Sequence, residues 1–227
     1  MFTPQCICQE SAHMIGKLAF TGVAEGVAGE QDEWAHKWTH DPITYSVIRG
    51  TDDLPGDSLE RLMVNLAMTT WDAEIKSELK FVKRDATPDI TIEWRPQEED
   101  DMFKSMNGVL AYAYFPKTSR EGEIVFNDKY LWGPKNDLIS VTNPDGTISK
   151  VKQYNALHTL IHEIGHSLGL LHNQSEGNSV MFPYYNGKLE LTQSDIDRIV
   201  LKYGVNTWVS YRYIAFKKWL TARKLRF

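Results

Sequence analysis

The sequence predicts an α+β fold, an α/β sandwich, and three observations carry that reading. Short alternating β-rich runs dominate the first two-thirds of the chain, one long amphipathic helix interrupts them early, and further helices follow late. The resulting order is strand, helix, strands, helix, loop, helix. The length of 227 residues suits one large domain, or one domain with extensions.

Residues 1–36 read as an N-terminal arm, expected to be flexible and to hold at most weak or short helical content over 1–33, with glycine at 16, 22, 26 and 29. "ITYSVIR" (43–49) alternates and predicts a strand. In the helix that follows, Leu59, Leu62, Met63, Leu66, Thr70 and Trp71 recur at helical spacing. "LKFVKR" (79–84) and "DITIEW" (89–94) predict two more strands, and an acidic, irregular loop follows at 96–107. "GVLAYAYF" (108–115) and "EIVFN" (123–127) are strands again. Residues 138–151 place two β-rich arms around Asn143-Pro144-Asp145-Gly146, a turn sequence, and predict a hairpin. A helix is expected from about 152 to 168, and "LTQSDIDRIVLKYG" (191–204) predicts a capped helix ending at Gly204.

Hydrophobic residues make up 42% and charged residues 24%, which argues against wholesale disorder. The formal net charge of −5 is unevenly spread. Residues 205–227 carry six cations and no acid, so the remainder carries −11 and nucleic acid is not an expected partner of the whole chain. This C-terminal extension also holds Trp208, Tyr211, Tyr213, Phe216, Trp219 and Phe227. Its favoured reading is a helix packed on the domain; a basic amphipathic helix for a membrane surface or an acidic partner is the alternative. The two cysteines, Cys6 and Cys8, leave the body of the chain without a disulfide framework. Lys17 and Glu25 interrupt the apolar stretch at 12–28, so the N-terminus does not read as a classical signal peptide, no transmembrane segment is expected, and localisation stays open.

The chemistry concentrates in "LHTLIHEIGHSLGLLHNQ" (157–174), which holds four of the seven histidines. On a helix, His162 and His166 share one face, and Glu163 stands beside the first. This is His-Glu-x-x-His, in which two imidazoles hold zinc and the glutamate serves as base. His172 lies ten residues past His162, about 15 Å along a continued helix, too far to share the ion. Gly169 supplies the break, because glycine accepts the left-handed conformation that ends a helix. Three protein ligands leave a fourth position open, the catalytic arrangement. His158 reads as an ordinary helix-face histidine, and His13, His36 and His40 as surface residues. Glu98-Glu99-Asp100-Asp101 reads as a solvated loop, with a calcium site as the alternative.

The full string His-Glu-x-x-His-x-x-Gly-x-x-His is the metzincin signature, and Met181 in "SVMFPYY" resembles that group's methionine turn. Within the group the chain resembles the matrixins, the matrix-metalloproteinase catalytic domains. "KWTHDPITYSV", "AMTTWDAEIKSELKFVK", "PDITIEW", "GVLAYAYFP" and "LTQSDIDRIVLKYG" carry the likeness, over roughly residues 37–204. The resemblance implies a twisted, mostly parallel five-stranded sheet with an antiparallel edge strand, three main helices and a methionine turn below one catalytic zinc. It implies that His162, His166 and His172 bind that zinc and that Glu163 is general base and acid. Leu110 and Ala111 would pair with an extended substrate at the cleft edge, and Pro183 and Tyr185 would wall the S1′ pocket.

Departures are equally specific. Matrixins read Leu-Ala-His-Ala where this chain has Leu110-Ala111-Tyr112-Ala113, and carry a histidine where it has Val125. Both histidines ligate the family's structural zinc, so that ion is expected to be absent. Calcium is left open, because Asn127-Asp128-Lys129-Tyr130 replaces a more acidic run. The 138–151 hairpin resembles an insertion. "TPQCICQE" shares only Pro4 and Cys6 with the Pro-Arg-Cys-Gly segment by which matrixin propeptides block zinc, and free thiols are the favoured reading. The expected activity is that of a zinc-dependent endopeptidase, a monomer acting on peptide or protein. A zinc-containing binding or assembly protein and a zinc hydrolase of peptidoglycan cross-links are the competing readings.

Overall fold

The computed structural model describes residues 5–8, 36–54, 57–82 and 86–205. The basic aromatic extension, from 206 on, and His13 lie outside the described residues, as does the N-terminal arm apart from Gln5–Cys8 and His36.

The main sheet is built from strands whose alternate side chains are apolar. In β2 (Ile43–Arg49), Ile43 and Tyr45 turn into the core. In β4 (Ile90–Arg95), Ile90, Ile92 and Trp94 are fully buried and the residues between them are not. With β3 (Leu79–Phe81), β5 (Val109–Ala113) and β6 (Glu123–Asn127), these form the expected five strands in the order β5-β6-β4-β2-β3. All neighbours are parallel except β5, which runs antiparallel to β6. Two long helices, α1 (Asp57–Asp72) and α3 (Ala156–Ser167), pack on each other, and α3 also lies along β5. Met63, Ala67, Met68 and Trp71 of α1 join Leu160, Ile161 and Ile164 of α3 in one core with the sheet. Further along, α4 (Gln193–Tyr203) begins at a Thr192/Asp195 capping box and ends at Gly204, whose φ is +79°.

Four features depart from expectation. The described part of the arm is strand rather than helix: Gln5–Cys8 forms β1, which adds to the outside of β5 in parallel and gives a sixth strand. The segment at 96–107 is not irregular, and of the Glu98–Asp101 run read as solvated, Glu98, Glu99 and Asp101 are exposed while Asp100 is not. The segment contains a 3-10 turn at Gln97–Glu99 and α2 (Asp101–Ser105), and the Asp100 side chain caps α2 while buried. The helix expected from 152 starts at Ala156. Gln153 and Tyr154 instead extend β9 (Ile148–Asn155) alongside β7 (Leu131–Gly133), and Asn155 caps α3 through its side chain. Finally, β9 pairs antiparallel with β8 (Leu138–Thr142) around the expected turn, so the hairpin belongs to a second sheet in the order β7-β9-β8.

Candidate active site

Every residue of α3 is buried, including three polar ones at its centre, His162, Glu163 and His166. Asn155 holds the start of the helix by accepting from the backbone N–H of Leu157 and His158. The far end is more elaborate. Leu168 is the last residue with helical dihedrals, and Gly169 turns the chain at a φ of +92°. A Cβ on Gly169 would collide with the carbonyl oxygen of His36. The final carbonyls of the helix and turn are satisfied by three side chains from two other segments, the stretch before β2 and α4. Trp38 Nε1 donates to Ser167 O (2.9 Å), Tyr203 OH to Leu168 O (3.0 Å) and Lys202 Nζ to Gly169 O (2.6 Å). This reversal brings His172 back to the face that carries His162 and His166.

His166 Nε2 lies 3.0 Å from His162 Nε2 and 3.2 Å from His172 Nε2. The opposite nitrogens are committed elsewhere: His162 Nδ1–H donates to Val180 O (2.6 Å) and His166 Nδ1–H to Leu170 O (2.7 Å). Those bonds fix the tautomers of these two rings and leave their Nε2 atoms as bases. Burial lowers the pKa of both well below the ordinary imidazole value, and the neighbouring imidazoles lower it further. Burial, with Arg198 nearby, brings His172 to about 4. Neutral imidazoles with converging lone pairs repel one another unless a cation lies among them. The donor set therefore fits a zinc ion. Among the described residues this is the one group of three or more His, Cys, Asp or Glu side chains that converges within metal-binding reach.

Beneath the histidines, Met181 is fully buried. Gly165 faces it: a Cβ there would overlap Met181 Sδ and come within 3.0 Å of Trp71 Cζ2. Asp195, buried at the start of α4, organises the turn that presents Met181. Its carboxylate accepts from Ser179 Oγ (2.5 Å) and Val180 N (3.1 Å), while Ser179 Oγ accepts from Met181 N (2.9 Å). Val180 is thus positioned from one side by Asp195 and uses its carbonyl to orient His162.

α3 packs against β5, whose outer edge lies away from β6. Leu110 and Ala111 lie on that edge, and β1 occupies it here, with Cys6 opposite Ala111 and Cys8 opposite Ala113. On the other side, Tyr185 OH accepts from Asn155 N (2.9 Å) and its ring meets those of Tyr154 and His158. Pro183 lies half-buried in the same segment. His158, read as an ordinary helix-face histidine, stands outside the three-histidine group. It is buried, donates from Nδ1 to Lys188 O (2.6 Å), and ties the 183–188 segment to α3. His36 departs from its surface reading: it is half-buried and stacks on Phe115 at 5.0 Å. His40 is exposed, next to Asp89.

The matrixin family model matches residues 37–204. The chain belongs to the matrixin family. This matrixin is 33% identical over 174 residues to human matrilysin, covering 74% of the chain and 59% of that protein. It is 30% identical over 179 residues to rat stromelysin-1, covering 75% of the chain and 34% of the relative. A similar likeness, 30% over 183 residues, relates it to matrix metalloproteinase-2 of Drosophila melanogaster, at 78% and 22% coverage. The chain thus spans about three-fifths of matrilysin and a third of stromelysin-1. Among the described residues of this matrixin, no helix is long and apolar enough to cross a membrane.

Sequence reasoning missed several residues that hold the site. The 191–204 helix was readable as capped, but nothing local shows that the Asp195 carboxylate also reaches Ser179 and Val180, fifteen or so residues away. Lys202 reads as one more surface cation of an amphipathic helix, yet it is buried on His36 O and Gly169 O.

Proposed function

We propose that this matrixin is a zinc-dependent endopeptidase in which His162, His166 and His172 hold the metal and Glu163 moves the proton. The observation that carries this reading is the convergence of three Nε2 atoms, two of them on rings locked by carbonyl acceptors, with a buried carboxylate one residue from His162. Bound zinc supplies Lewis acidity toward the scissile carbonyl and a water of lowered pKa. Glu163 accepts a proton from the attacking water and delivers it to the departing amine. The backbone of Leu110 and Ala111 on β5 aligns an extended peptide by β-augmentation. Pro183 and Tyr185 bound the side-chain pocket beyond the scissile bond, with Tyr185 held in place by Asn155 and His158. A binding or assembly role would give Glu163 no chemical task, which favours the enzymatic reading.

The decisive experiment pairs metal content with turnover. Glu163→Gln should retain near-stoichiometric zinc by elemental analysis and lose at least about a hundredfold in kcat on a peptide library, the scale of general acid–base catalysis. Unchanged proteolysis by this variant would remove Glu163 from the mechanism. A wild-type protein without zinc would remove the ligand assignment.

A further inference from the structure

The two positions at which this matrixin lacks the family's structural-zinc histidines, Tyr112 and Val125, lie directly opposite each other on β5 and β6. The space around them is filled rather than vacant. Tyr112, Val125, Val109 and Phe103 form a second buried apolar cluster, flanked by Met102, Met106 and Tyr114. The Phe103 and Tyr112 rings are 5.2 Å apart. The polar end of Tyr112 is equally committed. Its hydroxyl donates to Asp100 Oδ2 at 2.6 Å, and Arg95 Nη1 reaches the same oxygen at 2.6 Å. The other oxygen, Asp100 Oδ1, accepts from Met102 N (2.9 Å) and Phe103 N (3.1 Å), capping α2. Arg95 continues the network to Glu93 and Glu123. Asp100 is 3% exposed, so a carboxylate with four donors has been taken almost wholly out of water. Burial alone would raise its pKa, but the Tyr112 and Arg95 bonds outweigh that and keep it below the ordinary aspartate value. An apolar pair beneath a saturated carboxylate does not fit a metal ion.

We infer that Tyr112 and Asp100 form a metal-free latch, which fixes the cleft-edge strand β5 by fastening it to the folded 96–107 segment, and that the chain binds one zinc, not two. Deleting either partner loosens β5 from behind, on the face opposite α3. Tyr112 and Asp100 are thus positioning residues for the substrate-aligning strand. That last clause rests on the endopeptidase reading; the latch and the zinc count do not.

The test uses the whole chain and three readouts. Elemental analysis should find about one zinc per chain in the wild type and none in His172→Ala. Two zinc ions per chain in the wild type would overturn the one-site assignment. Amide hydrogen exchange across β5 should be little changed by a chelator. It should accelerate at least about tenfold in Tyr112→Phe, which removes only the hydroxyl, and in Asp100→Asn. Exchange in Tyr112→Phe that matches the wild type would refute the latch. On a long peptide substrate, Tyr112→Phe should raise KM severalfold with kcat nearly constant, whereas an equal fall in kcat would refute the positioning role. If the wild type cleaves no peptide while exchange and metal counts behave as stated, the endopeptidase reading fails and the latch stands.

Discussion

Gly165 shows how a single absent side chain supports the site. Helix interiors disfavour glycine by about 1 kcal/mol relative to alanine, yet here it lies between Glu163 and His166. Its Cα faces Met181 and Trp71 so closely that a methyl group would overlap the methionine sulfur. Gly165→Ala should therefore destabilise the protein by roughly 1–3 kcal/mol through overpacking, despite the gain in helix propensity. Denaturant unfolding measures this. An alanine variant as stable as the wild type would mean that Met181 yields without strain. Gly169 answers a different demand, a φ of +92° against the carbonyl of His36. One glycine makes room beneath the helix, and the other ends it.

At the level of elements, the consequential one is β1. It runs parallel to β5 on the edge that Leu110 and Ala111 offer, the same backbone groups an extended substrate would use. A strand carried on the chain itself competes intramolecularly, so it needs little intrinsic affinity to hold the edge. Deleting residues 1–8 should raise kcat/KM for an extended peptide by roughly tenfold if β1 competes as a tethered strand of modest affinity. Equal kcat/KM in the two proteins would show that β1 does not guard the edge in solution. The helix α4 contributes at the same scale. Its first turn fixes the methionine turn through Asp195, and its last turn fixes the exit from α3 through Lys202 and Tyr203.

Across the whole molecule, the site is a junction of sheet, helices and loops. Trp38, α3, the methionine turn and α4 meet around three imidazoles that burial holds neutral. A metal that binds only the folded chain stabilises it by mass action, about 4 kcal/mol at a thousandfold excess over Kd. Chelation should lower the melting temperature of this matrixin by roughly 10 °C, and zinc should restore it. Scanning calorimetry is the measurement, and a melting temperature indifferent to chelator would contradict metal binding at this site.

How much of this was legible depended on the range of the interactions. Strands 43–49 and 123–127, the α4 cap and stop, the hairpin turn, and the grouping of His162, His166 and His172 all follow from periodicity, turn chemistry and ligand spacing within a dozen residues. The fold class followed from the order of those elements. Other features were set by partners distant in sequence. Asp100 reads as one acid in an acidic run until Tyr112 and Arg95 close around it. Lys202 reads as exposed until the end of α3 needs a donor, and Gly165 reads as a liability until Met181 is beneath it. No local propensity announces β1, because an edge strand exists only where another strand leaves its backbone groups open. The sequence by itself therefore determined the grouping of three histidines, the break that assembles it and the order of the elements. The tertiary structure decided which buried polar groups are satisfied, what packs around Tyr112 and Val125, and what lies on the edge of β5, because burial turns a tolerable polar side chain into one that must find its partner.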